Sequence, residues 1–193
     1  FFIYFLIIKF IITNSMQKIK NRAKKKIKLK KLKVSDISNE YIMWLNNPET
    51  VKYTEQRYKK NSRKDIEKFV NNINKSKDSF LYGIYIEKNN KEEHVGNIKI
   101  GPINFNHKSS YISYLIGSKQ FTNQGIATQA IYLIIDIAKK KFKLKKLFAG
   151  VYSMNKASRR VLIKNKFKCE GILKSSILFK NRRYDSMIYG KIL

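Results

Sequence analysis

The sequence predicts one mixed α/β domain, and three observations support this prediction. Apolar residues make up 43% and aromatic residues 13% of the 193 residues, which is enough to build the core of one ordinary domain. Segments with the two-residue period of strands alternate with segments of helical period, in the order β-α-α-β-β-β-α-β-α-β-β. Neither an internal repeat nor a linker divides the chain, so we expect a single sheet with helices packed against it.

The first half of the chain is predicted to hold one strand, two helices and a hairpin. A strand at 27–32 precedes a helix at 36–46, which ends there because the proline two residues later excludes helical geometry before it. A second helix is expected at 63–73, where apolar residues recur at the spacing of one helix face. Two extended segments joined by a polar turn then form the hairpin, at 80–87 and 94–100.

The second half is predicted to centre on a long buried helix. Gly101 and Pro102 are expected to bend the chain after the hairpin. Segment 126–142 has apolar residues on most sides and several alanines, which predicts a helix covered by the sheet. A further helix and four further strands complete the order, the helix at 156–164 and the strands at 111–117, 147–152, 167–179 and 184–192.

The formal charge of the chain is +29, from 42 basic and 13 acidic residues. An anionic partner such as nucleic acid or a membrane surface would explain this charge. The basic residues are mostly lysine, accompanied by many Asn and Ile, so a coding sequence rich in A and T explains it as well. The single cysteine, Cys169, and only two histidines predict a cytoplasmic protein with no disulfide and no structural metal.

Residues 1–26 are predicted to be an extension before a single domain at 27–193. The apolar start, 1–12, is shorter than the ~20 residues that span a bilayer, and it lacks the pattern of a signal peptide. Because Met16 directly precedes ordinary polar sequence, we expect the native start there. A membrane anchor remains the alternative interpretation of the apolar residues.

The segment from Gly117 to Ala130 is the part of the chain that most directly predicts chemistry. It reads as the end of a strand, a polar loop and the start of the long helix. The first N–H groups of a helix lack internal partners and lie at the positive end of its dipole, so they bind anions. Gly125 leaves room for a diphosphate at this position, although a glycine before a helix also serves as a simple turn.

Two motifs in this sequence resemble those of GNAT superfamily N-acetyltransferases. Segment 122–127, Thr-Asn-Gln-Gly-Ile-Ala, resembles the pyrophosphate loop of that family. Segment 155–167 resembles its Asn-x-x-Ser helix and following Phe, as found in ribosomal-protein alanine acetyltransferases and amino-sugar acetyltransferases. The chain departs from the pattern where glycine is usual, at Asn123 and Lys166, and where Gln or Arg is usual, at Thr122.

The resemblance implies a fold and a cofactor site. The implied fold is a central twisted, mostly antiparallel sheet with splayed middle strands and about four flanking helices. The co-substrate would be acetyl-CoA, with no metal, and its thioester would lie between the strands 111–117 and 147–152. The implied cofactor-binding residues are Leu115, Ile116, Thr122, Asn123, Gln124, Gly125, Ile126, Ala127, Thr128, Asn155 and Ser158.

The resemblance also implies direct transfer of the acetyl group to an amine. Backbone N–H groups near Leu115 and Ile116 would polarise the thioester. Asn155 would contact the cofactor arm, or alternatively cap its helix. Candidate catalytic residues are Glu55 as a base, Ser158 near the leaving thiol, and Tyr152 as a substitute for the family's acidic tyrosine, which would fall at Leu162.

The acceptor is predicted least directly. Segment 96–104 looks similar to acetyltransferases of amino-sugar assembly. We therefore expect a small amino sugar or nucleotide-sugar as the acceptor, with the N-terminal amine of a protein as the alternative. A basic module that binds nucleic acid or membrane without catalysis is a third interpretation, but we expect neither partner because it leaves both motifs unexplained. A homodimer is left open.

Overall fold

The computed structural model describes residues 26–88, 91–117 and 119–193, and in these it contains seven strands and five α-helices. The strands are β1 Ile27–Lys31, β2 Phe80–Lys88, β3 Lys91–Asn104, β4 Ser109–Ile116, β5 Lys146–Tyr152, β6 Lys168–Phe179 and β7 Arg182–Ile192. The helices are α1 Asn39–Asn46, α2 Pro48–Val51, α3 Arg63–Lys75, α4 Ile126–Lys140 and α5 Lys156–Lys164. Short 3₁₀ turns occupy Val34–Asp36, Glu55–Tyr58 and Lys119–Phe121. The predicted start at Met16 and the extension before residue 26 lie outside the described residues.

The strands form one sheet in the order β1-β2-β3-β4-β5-β7-β6. All neighbouring pairs are antiparallel except β4 and β5, which are parallel and are connected through α4. A parallel pair needs such a crossover, and the long apolar helix supplies it. The predicted mixed, mostly antiparallel sheet with one central strand-helix-strand unit is therefore confirmed.

The middle of the sheet opens between β4 and β5. These strands pair only where they begin, at Ser109–Tyr111 against Lys146–Phe148. Past Tyr111 and Phe148 no further pairs join the described parts of the two strands, which confirms the predicted splay. Continuing the same register places Leu115 level with Tyr152 across the opening.

Apolar side chains cover both faces of the sheet. On one face, α4 and Leu162 of α5 pack against alternate residues of β2, including Tyr82 and Ile84. On the other face, α1 and α3 pack with Leu81 of β2 in a second cluster. Successive strand residues point to opposite faces, so the alternation in β2 assigns the two clusters to opposite sides.

Several boundaries differ from the sequence prediction, and three of them have a local structural cause. The first helix begins at Asn39, not at residue 36, because the Ser38 hydroxyl accepts from the backbone N–H of Tyr41 and caps it. Pro48 starts a separate short helix, α2, so there are five helices where about four were expected. Gly101 and Pro102 bend β3 at a bulge, and the strand continues beyond them to Asn104.

Candidate functional site

The N-terminus of α4 presents backbone N–H groups that the helix itself does not use. Gly125 stands at the N-cap with φ 78°, and no side-chain hydrogen bond caps this end within the described chain. The first helical bond runs from the Gln129 N–H to the Gly125 carbonyl, at 3.0 Å. The N–H groups of Ile126, Ala127 and Thr128 precede that bond, so they are the natural donors for an anion at the positive end of the dipole.

The approach to these donors is open. A Cβ built on Gly125 would meet nothing within 4 Å, so the missing side chain leaves free space for a ligand. Asn123 also adopts the left-handed conformation, with φ 59°. Asparagine tolerates that conformation better than other non-glycine residues, so the departure from the family's glycine at Asn123 preserves the shape of the loop. The residues therefore fit a bound diphosphate.

The polar side chains of the loop hold the loop itself. The Thr122 hydroxyl donates to the Lys119 carbonyl at 2.8 Å, and the Gln124 side chain donates to the Gln120 carbonyl. These bonds fix the 3₁₀ turn that ends at Phe121, whose ring is buried. Thr122 and Gln124 thus shape the anion site, while the backbone that follows supplies its donors.

Of the two predicted positions on β4, Leu115 and Ile116, one directs its backbone groups into the splay. The Gly117 N–H donates to the Val95 carbonyl of β3 at 2.9 Å. Backbone amides of successive strand residues point to opposite edges, so the Leu115 amide also faces β3 while the Ile116 amide faces the opening toward β5. Ile116, and not Leu115, is therefore placed to donate a backbone N–H to a group in the splay.

The predicted catalytic residues Glu55 and Tyr152 are in direct contact. The Tyr152 hydroxyl donates to the Glu55 carboxylate and accepts from Arg57 Nη1 at 2.9 Å. Burial, followed by the neighbouring Glu55 carboxylate, raises the pKa of Tyr152. Tyr152 consequently stays protonated at neutral pH and acts as a donor. The structure brings these residues together from positions far apart in the chain.

Arg57 is the centre of this contact, and the sequence does not single it out. Its guanidinium carbon lies 4.3 Å from the Tyr58 ring centroid, 5.0 Å from that of Tyr152 and 5.7 Å from that of Phe179. Arginine stacks on aromatic faces in this way because the ring quadrupole attracts the cation. We call Glu55, Arg57, Tyr58, Tyr152 and Phe179 the Arg57 cluster.

The predicted residues on α5 divide between capping and contact across the splay. The Asn155 side-chain oxygen accepts from the Ser158 N–H at 3.1 Å, which is the capping alternative. The Ser158 hydroxyl lies 2.9 Å from the hydroxyl of Tyr114, a β4 residue that the sequence does not indicate. Burial raises the pKa of Tyr114, so this hydroxyl also stays protonated. Leu162 is fully buried in the core.

Asn165 joins the two helices of the site. It is 8% exposed, and its side-chain amide donates to the carbonyls of Thr128, at 3.2 Å, and Val161, at 3.0 Å. The first turn of α4 is thereby fixed to the end of α5. Lys166 follows in the left-handed conformation, with φ 63°, where the family has glycine. The one sequence signal for Asn165 is its place at a helix end.

A cavity of about 490 Å³ lies on the α1 and α3 side of the sheet. It reaches Leu115 of β4, so it adjoins the splay where the strands have separated. Its polar lining comes from α1, from the 3₁₀ turn and the segment after it, from α3 and from β3: Tyr41, Gln56, Lys59, Lys60, Asn61, Asp65 and Asn97. The size suits a small molecule.

In residues 26–88, 91–117 and 119–193, no group of three or more His, Cys, Asp and Glu side chains is placed to hold a metal ion. In the same part of the chain, no helix has the length and apolar character that crossing a membrane requires.

Comparison with known proteins identifies relatives over much of the chain. Residues 26–168 match the acetyltransferase (GNAT) domain family. The uncharacterized N-acetyltransferase YoaA of Bacillus subtilis is 28% identical over 105 residues, which are 54% of this chain and 59% of that protein. The probable N-acetyltransferase YjcK of the same organism is 36% identical over 70 residues, 36% of this chain and 38% of that protein. The matches thus span less than two thirds of either relative.

Solved structures share the fold at low sequence identity. The microcin C7 self-immunity acetyltransferase MccE, in complex with acetyl-CoA and AMP, superimposes with a TM-score of 0.74 at 22% identity and covers 86% of this chain and 92% of its own. The spermidine N-acetyltransferase of Vibrio cholerae, with CoA and spermine, gives 0.77 at 18% identity, covering 86% and 95%. The ribosomal alpha-N-protein acetyltransferase RimL, with coenzyme A, gives 0.75 at 18%, covering 86% and 94%.

The family match extends from the first strand through α5, and so it includes the loop before α4, the splayed strands and the Asn155 cap. These are the features that the two sequence motifs predicted. The chain belongs to the GNAT family of acetyltransferases.

Proposed function

We propose that this protein transfers the acetyl group of acetyl-CoA directly to a primary amine. The open N-terminus of α4 beside the splayed strands is the observation that carries the proposal. The diphosphate of the donor binds the N–H groups of 126–128, and its thioester arm lies in the splay between β4 and β5. The cavity at Leu115 holds the amine on the other side of the sheet.

The transfer is a single displacement. The lone pair of the neutral amine attacks the thioester carbon, a C–N bond forms, and the C–S bond breaks to release the thiolate. The Ile116 N–H donates to the carbonyl oxygen as negative charge develops there. Much of the acceleration comes from holding the two reactants together.

Two protons leave the ammonium group of the acceptor. The first goes to the Glu55 carboxylate, which the Tyr152 hydroxyl positions by its hydrogen bond. The second passes from the nitrogen to solvent water after attack. The thiolate gains one proton from the hydroxyl pair of Tyr114 and Ser158, which solvent then resupplies. The amide and the free thiol are the neutral products.

The acceptor that we propose is a small amino sugar, carried free or on a nucleotide. Lys59 and Lys60 line the cavity and suit the phosphates of a nucleotide-sugar. The solved structure of MccE is a complex with both acetyl-CoA and AMP, so a protein of this fold binds a nucleotide as well as the donor. The N-terminal amine of a protein is the second candidate, favoured by the likeness to RimL.

An acceptor panel tests the proposal. The purified full chain is incubated with acetyl-CoA and, separately, with glucosamine, a nucleotide-linked amino sugar and a short peptide, and mass spectrometry detects an added acetyl group. Acetylation of the amino sugars supports the proposed acceptor. Acetylation of the peptide alone favours the second candidate, and failure to bind acetyl-CoA at moderate salt contradicts the enzymatic function.

A further inference from the structure

Asn97 is a buried polar residue at the meeting point of the cavity and the splay. It is 7% exposed, it lies on β3 directly opposite Leu115 of β4, and its side chain lines the cavity. A buried amide is stabilised only when its polar atoms find partners. Each polar atom of Asn97 therefore needs a hydrogen-bond partner, either in the protein or in a bound molecule.

His94 fixes the orientation of the Asn97 amide. Its Nε2 lies 2.9 Å from the Gly96 carbonyl and 3.0 Å from Asn97 Oδ1. Because both of these atoms are acceptors, Nε2 must carry the proton. Asn97 Oδ1 is thus taken up by the imidazole, which leaves the Nδ2 hydrogens as donors for a molecule in the cavity.

The imidazole itself is held in one orientation. Its ring lies 5.0 to 5.6 Å from the ring centroids of Tyr41, Trp44 and Tyr85. Burial lowers the pKa of His94, so the ring is neutral at physiological pH. Its Nδ1 is buried without a hydrogen-bond partner in the described chain, as expected of the acceptor nitrogen of a neutral ring.

Gln56 offers the complementary group. Its side-chain oxygen is buried and has no hydrogen-bond partner among the described residues, and the residue lines the same cavity. Its backbone is fixed by the bond from its N–H to the Thr54 hydroxyl, at 3.3 Å. An unpaired buried oxygen costs ~1–3 kcal/mol until a donor reaches it. A ligand N–H becomes such a donor once rotation of the Gln56 side chain turns the oxygen toward the cavity.

The charges around the cavity disfavour polyamines as acceptors. Lys59 and Lys60 are basic, and Asp65 is the one acidic side chain among the described lining residues. The Asp65 carboxylate already accepts from the Ser62 N–H at 3.0 Å and from the Ser62 hydroxyl, which lowers its pKa. A polyamine, with several cations and no oxygen, finds little compensation here.

We propose that Asn97 and Gln56 form a recognition pair for an amine that carries an oxygen on the neighbouring carbon, and that His94 is the positioning residue for Asn97. Gln56 accepts from the amine and Asn97 donates to the oxygen. This proposal rests on the proposed function and names the substrate class of its acceptor site. A 2-amino sugar has this arrangement, and so does the first residue of a peptide.

A matched pair of small amines tests the recognition pair. The probes are 2-aminocyclohexanol and cyclohexylamine, which differ by one hydroxyl group. We expect the wild-type enzyme to favour the amino alcohol in kcat/KM by about 10-fold, the value of one good hydrogen bond. Asn97→Leu is expected to bring the ratio to about 1, whereas the same substitution at Asn71, exposed on α3, leaves it unchanged. Glucosamine and alaninamide then separate the sugar from the peptide source.

A second variant covers the case in which Asn97→Leu does not fold. Asn97→Asp is nearly isosteric and replaces the donor with a carboxylate, so the preference should shift toward cyclohexylamine and spermidine. His94→Phe, which removes the donor that holds Asn97, should reduce the wild-type ratio several-fold with little change in the KM for acetyl-CoA. His94→Gln retains a donor at a similar distance from the backbone and should restore the wild-type ratio.

Two results would overturn the inference: equal use of the two probes by the wild type, or undiminished discrimination in both Asn97 variants. Acetyl-CoA binding, measured by calorimetry on each protein, separates this failure from failure of the proposed function. If only the recognition pair fails, the enzyme still binds acetyl-CoA and acetylates amines. If the proposed function fails, it does neither.

Discussion

The two sides of the site are built in different ways. On the donor side, the proposed anion site consists of consecutive backbone groups at the start of α4, shaped by one short loop. On the acceptor side, the Arg57 cluster and the cavity consist of side chains from segments far apart in the chain. In the Arg57 cluster, for example, the guanidinium carbon of Arg57 lies 5.7 Å from the ring centroid of Phe179. The donor side therefore depends on a short local motif, whereas the acceptor side depends on contacts that only the tertiary fold creates.

The largest expected effect breaks the donor side at Gly125. Gly125→Val places a β-branched residue at φ 78° and fills the open approach, so acetyl-CoA binding should weaken by at least about 100-fold. Calorimetric titration measures this. Gly171→Val is the control, because a Cβ there also meets nothing within 4 Å. If Gly125→Val binds acetyl-CoA normally, the donor site does not lie at the N-terminus of α4.

The second effect tests whether the acceptor side works through side chains. Glu55→Gln removes the proposed base and keeps the size of the side chain, so kcat should fall about 100-fold while the Kd for acetyl-CoA stays unchanged. Steady-state kinetics and titration measure the two quantities. Glu67→Gln, on α3, is the matched control and should alter neither. A loss of acetyl-CoA binding in Glu55→Gln would show that Glu55 also contributes to the donor side, contrary to this proposal.

The third effect concerns a side chain that supports the donor side. Asn165→Ala removes the donor to the Thr128 and Val161 carbonyls, so the free energy of unfolding should fall by ~1–3 kcal/mol. Acetyl-CoA binding should weaken modestly, because the first turn of α4 loses an anchor. Denaturant unfolding of Asn165→Ala and of the exposed control Asn72→Ala measures the difference. Equal stabilities would show that α4 is held without Asn165.

The smallest effect is a pH dependence on the acceptor side. Burial lowers the pKa of His94 below the ~6.5 of an unfolded histidine, so the unfolded chain binds a proton that the folded protein does not. This contribution to stability is complete above that pH and is lost as the pH falls below it. Melting temperatures between pH 7.5 and 5 should therefore drop less in His94→Gln than in the wild type. His107→Gln, at an exposed site, should follow the wild type.

The sequence predicts the elements around the donor side because their signals are local. The order of elements, the splay and the loop at Gly125 follow from periodicity and from two motifs. The sequence indicates Glu55 and Tyr152 independently of each other, and only the fold shows that they touch. The contacts of Tyr114 with Ser158 and of Asn165 with Thr128 join elements whose separation in the chain hides them.

The capping of α5 by Asn155 shows why a motif does not determine a role. The same Asn-x-x-Ser spacing satisfies a helix cap and suits a ligand contact, and the structure realises the cap. The bulge in β3 is a similar case. Gly101 and Pro102 signal a bend, but their sequence does not say whether the strand stops or resumes, and pairing of Ile103 with Ser110 resumes it.

The separation of β4 from β5 makes the donor molecule a structural component of the protein. In the proposed complex, the pantetheine arm lies between the two strands and takes the place of the interstrand bonds missing from the centre of the sheet. A ligand that binds only the folded chain stabilises it by mass action, by ~2.7 kcal/mol at a hundred times its Kd. We therefore expect the folded protein to be more stable where acetyl-CoA is abundant than where it is depleted.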